Sequence, residues 1–172
     1  MQRTITSGCG KGTSFSRTVE EVSRLRLSGG PAIEPARILA LMAELRARST
    51  LHAITRGCHN ASLCEPARML VFREDIGRHN AIDMIGGLCL LEGLPVADKL
   101  VVSTGRVASE IVLKVARMGI GMLVSASAAT SLAVELARRI GLTLVGSTHA
   151  EGFRVYHGAG RILGLTGEED RA

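Results

Sequence analysis

Apolar positions along the chain keep two rhythms. Short runs at Met69 to Arg73, Lys99 to Ser103, Gly121 to Ser125 and Thr143 to Ser147 have the length and β-branched content of strands. Elsewhere apolar residues recur every three or four positions, as on a helix face. Ile82, Ile85, Leu88 and Cys89 mark a helix from Arg78 to Leu91, and further helices are expected at Val107 to Met118 and Thr130 to Ile140. Upstream, a helix from Glu34 to Arg48 takes Pro35 in its first turn and carries Ile38, Leu39, Met42 and Leu45 on one face. A modest helix around Thr18 to Leu27, a break at Ser28-Gly29-Gly30-Pro31, and a strand from His52 to Leu63, bent at Gly57, complete the first half. Arg154 to His157 reads as an antiparallel edge strand, and the charged residues 166–172 as a frayed tail. Strands alternating with helices imply βαβ crossovers. The class is α/β, three layers, with helices on both faces of a mixed, mostly parallel sheet.

Composition narrows this reading. At 172 residues, 46% of them hydrophobic, the chain suits one domain with one core. With no Trp, one Tyr and three Phe, that core has to come from Leu, Ile, Val, Ala and Met. No run approaches the ~20 apolar residues that cross a bilayer, and no signal peptide opens the chain, so a cytoplasmic protein is expected. The net charge of +5 is scattered, and aromatics for stacking on bases are nearly absent. A small anion or an acidic partner suits that excess better than nucleic acid does.

Chemistry concentrates where the second strand meets its helix. Arg73-Glu74-Asp75-Ile76-Gly77-Arg78-His79-Asn80-Ala81-Ile82-Asp83 packs cations, carboxylates and a histidine into a strand-to-helix turn, a favoured place for ligand contacts in α/β proteins. Two more loops follow strands: Ser103-Thr104-Gly105-Arg106, and Ser125-Ala126-Ser127 leading to Thr130-Ser131. Small hydroxylated residues at helix N-termini expose N–H groups that suit phosphate oxygens, and Arg106 adds a forked cation. Ordinary helix capping by Ser and Thr explains each loop as well when taken alone. No Walker or G-x-G-x-x-G pattern occurs. Cys58, His59 and Cys64 lack the paired spacing of a zinc site, so no metal is expected. Of the four cysteines, Cys89 reads as a core residue. Cys9 sits among Gly8, Gly10 and Gly12 beside Lys11, in a loop (residues 1–17) where the lysine favours thiolate. It reads equally as an incidental thiol near a chain end.

Together these residues resemble the FdhD family, the formate dehydrogenase accessory sulfurtransferases. The turn from Arg73 to Asp83 matches the family signature R-E-D-V-G-R-H-N-A-V-D with isoleucine for valine at two positions. Ser103 to Arg106, Ser125 to Glu135 and Leu142 to Gly146 resemble further family blocks in family order. The resemblance implies a cytidine-deaminase-like fold without the zinc ligands. It also implies transfer of persulfide sulfur from a cysteine desulfurase to the molybdenum or tungsten bis-molybdopterin guanine dinucleotide cofactor, which is then installed in formate dehydrogenase. Cys9 matches the first cysteine of the family's C-G-x-C-G loop, whereas Gly12 stands at the second. Ser147, Thr148, His149, Ala150, Glu151 and Gly152 fall where the family holds the guanine dinucleotide, for which GDP is the natural mimic. Arg73, Arg78, His79, Ser103, Arg106, Ser125 and Ser127 are the other expected cofactor contacts. A homodimer is compatible with the resemblance. Family members carry roughly a hundred residues before the cysteine loop, so residues 1–172 are read as the C-terminal domain alone. The alternative reading is a molybdenum-cofactor-binding chaperone module without sulfur transfer of its own.

Overall fold

The structure, a computed structural model, describes residues 25–27 and 30–165. The elements in order are α1 (Pro35–Arg48), α2 (Thr50–Thr55), β1 (His59–Glu65), β2 (Arg68–Asp75), α3 (Arg78–Glu92), β3 (Leu100–Ser103), α4 (Ser109–Arg117), β4 (Met122–Ser125), α5 (Ser131–Ile140), β5 (Thr143–His149) and β6 (Gly152–His157). A short 3-10 turn, Ala159–Arg161, follows. The six strands form one mixed sheet in the order β2-β1-β3-β4-β5-β6. Its centre, β3-β4-β5, is parallel, while β1 pairs antiparallel with both β2 and β3, and β6 antiparallel with β5. Four strands, β2 to β5 without β1, therefore point the same way. Their carboxyl ends share one edge with the amino ends of β1 and β6.

Period-two alternation along the strands explains the three layers. Val101, Leu123 and Leu144 face α3, α4 and α5 in one core. Their neighbours Leu100, Val102, Met122, Val124 and Val145 face α1 in the other. All of these side chains are at most 1% exposed, so the parallel strands are covered on both sides and read as nearly continuous apolar runs. No helix among the described residues is long and apolar enough to cross a membrane.

Most expected elements are present within a few residues, with three corrections. His52 lies in α2, and the strand begins only at His59. Thr50 to Thr55 look strand-like in sequence, yet none of them is buried, and Leu51 and Ile54 face outward. Within this helix Thr55 Oγ1 donates to the Leu51 carbonyl, and Arg56 closes it in the left-handed region at φ 56°. On α1 the buried position is Leu41 rather than Leu39, and on α3 Ala81 is buried and Leu88 only partly so. The expected helix at Thr18 to Leu27 lies outside the described residues, except for Leu25–Leu27, which are not helical.

Candidate functional site

The strand ends supply a continuous platform. The carboxyl ends of β2, β3, β4 and β5 lead into the charged turn, the Ser103 loop, the Ser125 loop and the Ser147 turn, all on one edge of the sheet. The N-termini of α3, α4 and α5 rise from the first three of these. Only α5 has a side-chain cap, with Thr130 Oγ1 accepting from the Ala133 N–H at 3.3 Å. The N-termini of α3 and α4, behind Gly77 and Ala108, carry no side-chain cap, which leaves their N–H groups available to an anion.

Short hydroxyl side chains hold this platform together instead of capping helices. Ser103 Oγ donates to the Asn60 carbonyl (3.1 Å) and accepts from the Gly105 N–H (3.2 Å). Ser125 Oγ donates to the Gly105 carbonyl (2.7 Å) and accepts from Ser127 N–H (3.1 Å). Ser127 Oγ donates to the Thr104 carbonyl (2.8 Å), and the Ser147 N–H donates to the Ser127 carbonyl (3.0 Å). The Ser103, Ser125 and Ser127 side chains are thus committed to fastening one loop to the next, which leaves the backbone of those loops to face a ligand.

Across this scaffold lies Arg78. A Cβ at Gly105 would stand 2.8 Å from Arg78 Cβ and 3.3 Å from its Cδ, so only glycine lets the arginine stem lie on the loop. The Arg78 Nε is buried and has no hydrogen-bond partner, a donor that an incoming oxygen would satisfy. Beside it, burial and the Arg78 charge lower the pKa of His79, with Lys114 acting the same way and Glu110 and Asp83 opposing. Arg73 shares a sheet face with Ala61, its register partner, and its guanidinium reaches back to the Phe72 carbonyl (2.8 Å). Arg106 is exposed. Among the described residues no ion pair involves Arg73, Arg78 or Arg106.

The Ser147–Gly152 segment is held from below. Ser147 adopts φ 50°, which is rare for a side-chain-bearing residue, and its hydroxyl lies 3.4 Å from the Tyr156 hydroxyl. Arg46 on α1 donates to the Thr148 carbonyl at 2.7 Å, and Thr148 Oγ1 is buried without a partner. His149, Ala150 and Glu151 are exposed at the turn into β6, and Gly152 is half-buried. Cys9 lies outside the described residues.

Several contributors escaped the sequence reading. His59 opens β1 on the face of Ala61, and burial, Arg78 and His52 together hold its pKa low. Asn60 exchanges bonds with Thr104, giving its carbonyl to the Thr104 N–H and its own N–H to Thr104 Oγ1, both at 3.0 Å. Glu74 Oε1 accepts from the His52 N–H (3.0 Å), tying α2 to the site. Antiparallel pairing of β1 brings His59 and Asn60 here, and no local pattern announces that pairing, whereas Glu74 belongs to the charged turn already singled out. Among the described residues no group of three His, Cys, Asp or Glu side chains is gathered for a metal.

Comparison with known proteins gives the family and the fold. The profile of the FdhD/NarQ family matches residues 1–163. A Geobacillus kaustophilus protein named sulfur carrier protein FdhD is 43% identical over 162 residues, covering 94% of this chain and 62% of its own length. Its Bacillus subtilis namesake is 40% identical with the same coverage. A crystal structure from Desulfotalea psychrophila, described as a candidate formate dehydrogenase accessory protein, superposes with a TM-score of 0.77 at 35% identity. The match covers 84% of this chain and 62% of that one. The present sequence thus spans about 62% of the length of the curated relatives it matches. With the profile matched from residue 1 to Leu163, the chain belongs to the FdhD/NarQ family.

Proposed function

We propose that this chain is the cofactor-binding part of a sulfur carrier that passes persulfide sulfur from a cysteine desulfurase to a bis-molybdopterin guanine dinucleotide cofactor of molybdenum or tungsten destined for formate dehydrogenase. The observation that carries the reading is the unpaired arginine platform: Arg78 lying across Gly105, with Arg73, His79 and Arg106 around two uncapped helix N-termini. A dinucleotide cofactor presents several phosphate charges, and fixed cations with free N–H groups match them at about 1.5–3 kcal/mol for each charged hydrogen bond. The names of the relatives support the sulfur-carrying half. Ser147 to Gly152 lie on the same edge and are suited to hold the guanine end.

Cys9 takes the sulfur. Its thiolate attacks the outer sulfur of the desulfurase persulfide, the S–S bond breaks, and the desulfurase leaves as a thiolate while Cys9 becomes the persulfide. Release of that sulfur as sulfide takes two electrons, which a thiol reductant supplies as it becomes a disulfide, and Cys9 returns as thiolate. Fifteen residues lie between Cys9 and Leu25, a length of chain that reaches at most about 50 Å. Incubation with a cysteine desulfurase and cysteine, followed by mass spectrometry, is expected to show one added sulfur on Cys9 and none in Cys9→Ala. A chain that binds GDP yet takes no sulfur is a binding module alone, and the carrier reading fails.

A further inference from the structure

The platform holds one more titratable group, brought there by the pairing of β1 between β2 and β3. His59 is the first residue of β1, on the α3 side of the sheet with Ala61. The next residue, Asn60, is locked to Thr104 by two hydrogen bonds, and Thr104 adjoins the Gly105 over which Arg78 lies. His59 is therefore held against the same loop as the arginine, and its Nδ1 and Nε2 have no hydrogen-bond partner among the described residues. We propose that His59 is an anion-binding residue of this site, which becomes cationic when a phosphate arrives beside Arg78, so that binding takes up a proton. The inference rests on the function proposed above and gives that site a pH response.

The charged surroundings make the coupling one-directional. Facing His59 are Arg78 from α3 and His52 from α2, both of which oppose a second positive charge, as burial does. Asp75, its register partner on β2, is committed to the Gly77 N–H (2.7 Å) and Asn80 (2.9 Å), and Glu74 on the opposite face to the His52 N–H. Without a ligand the imidazole is thus neutral at pH 7. A phosphate next to Arg78 cancels the main repulsive charge and adds an attractive one, and the ring's proton affinity rises. His79, under the same arginine, has the nearby carboxylates Glu110 and Asp83 and the cation Lys114 around it, so the two rings can be told apart by substitution.

The test is calorimetry of GDP binding to the whole chain between pH 6 and 8, in two buffers of different ionisation enthalpy. Wild type, His59→Gln and His79→Gln are compared after circular dichroism confirms that each is folded. The terminal phosphate of GDP titrates in this window for all three proteins and cancels in the comparison. At pH 8 wild type and His59→Gln are expected to bind within about twofold of each other. On going to pH 6, wild type is expected to gain up to about tenfold in affinity over His59→Gln, with extra proton uptake in the wild type. NMR of the His59 ring in the wild-type protein is expected to show its pKa rising on addition of GDP. Identical pH profiles for wild type and His59→Gln, or a His59 ring whose titration GDP does not move, would overturn the role while leaving the cofactor reading intact. Failure of the folded wild type to bind GDP at any pH overturns both.

Discussion

The two edges of the sheet handle charge in opposite ways. At the edge where the parallel strands begin, cations and anions satisfy each other. Lys99, nearly buried, reaches Asp98 at 2.6 Å and Glu65 at 3.5 Å, and Glu65 also meets Arg68 at 3.0 Å. The hydrogen bond from Lys99 holds the Asp98 carboxyl below its usual range, that from Arg68 does the same for Glu65, and Lys99 is raised in turn by Asp98. At the edge where the same strands end, the carboxylates serve backbone groups and the arginines stay unpaired. One edge closes the fold and the other leaves charge for something outside it.

Two glycines, one at each edge, separate stability from binding. Gly158, where β6 ends over the start of β5, has φ 82°, and a Cβ there would lie 2.5 Å from Thr143 Oγ1 and 3.0 Å from its Cα. Both the backbone conformation and the clash oppose a side chain. Gly158→Ala is expected to lose about 2–4 kcal/mol in chemical denaturation with GDP affinity unchanged. Gly105→Ala, which pushes only on the Arg78 stem, is expected to reverse that pattern. GDP affinity should drop about tenfold, equivalent to ~1.4 kcal/mol, with a smaller loss of stability. Equal effects of the two substitutions on binding would remove the distinction between the edges.

How far sequence reached follows the same division. The three central strands and the helices after them were legible because their apolar runs are buried on both faces or on one helical face, and burial writes itself as periodicity. The signature turn and the Ser103, Ser125 and Ser147 loops were legible as a site because each directly follows a strand. The antiparallel insertion of β1 between β2 and β3 was not, since pairing partners leave no local trace. That is why His59 and Asn60 were not legible as neighbours of the charged turn. The start of the expected strand at His52 fails because Ile54 and Thr55 have strand-like side chains, whereas residues 50–55 form a helix that a left-handed Arg56 closes before β1 begins.

Smaller effects sharpen the contrast. Thr130→Ala removes the only side-chain cap among the N-termini of α3, α4 and α5. It is expected to cost about 1 kcal/mol, a fall of roughly 2–4 °C in Tm, because the Ala133 N–H loses its partner. Stability is also expected to fall as acid is added. His59 and His79 have lowered pKa values in the fold, so the unfolded chain binds protons first. Their contribution is complete above the unfolded value near 6.5 and is lost as pH falls through it. Replacing both by glutamine is expected to flatten the dependence of the denaturation midpoint on pH between about 7 and 5.

The smallest expected change belongs to the ion pair nearest the site. Lys114 on α4 grips both oxygens of Asp83 on α3, at 2.5 and 2.6 Å, yet the two side chains are 31% and 54% exposed. Water screens such a pair, and exposed ion pairs contribute about 0.2–1 kcal/mol. Lys114→Met is therefore expected to shift the denaturation midpoint only slightly, with the shift shrinking further in high salt. Its electrostatic reach is more informative than its stability. Lys114 is one of the groups that lower the pKa of His79, whereas the cations proposed to meet the ligand are Arg73, Arg78 and Arg106. The variant is expected to raise the His79 pKa seen by NMR, although its Asp83 partner is freed at the same time and adds to that rise. GDP affinity at pH 8, where both histidines are neutral, is expected to stay within about twofold. A tenfold loss there would mean that a paired cation on the helix surface binds the ligand, and the division between satisfied and open charge would fail at this edge.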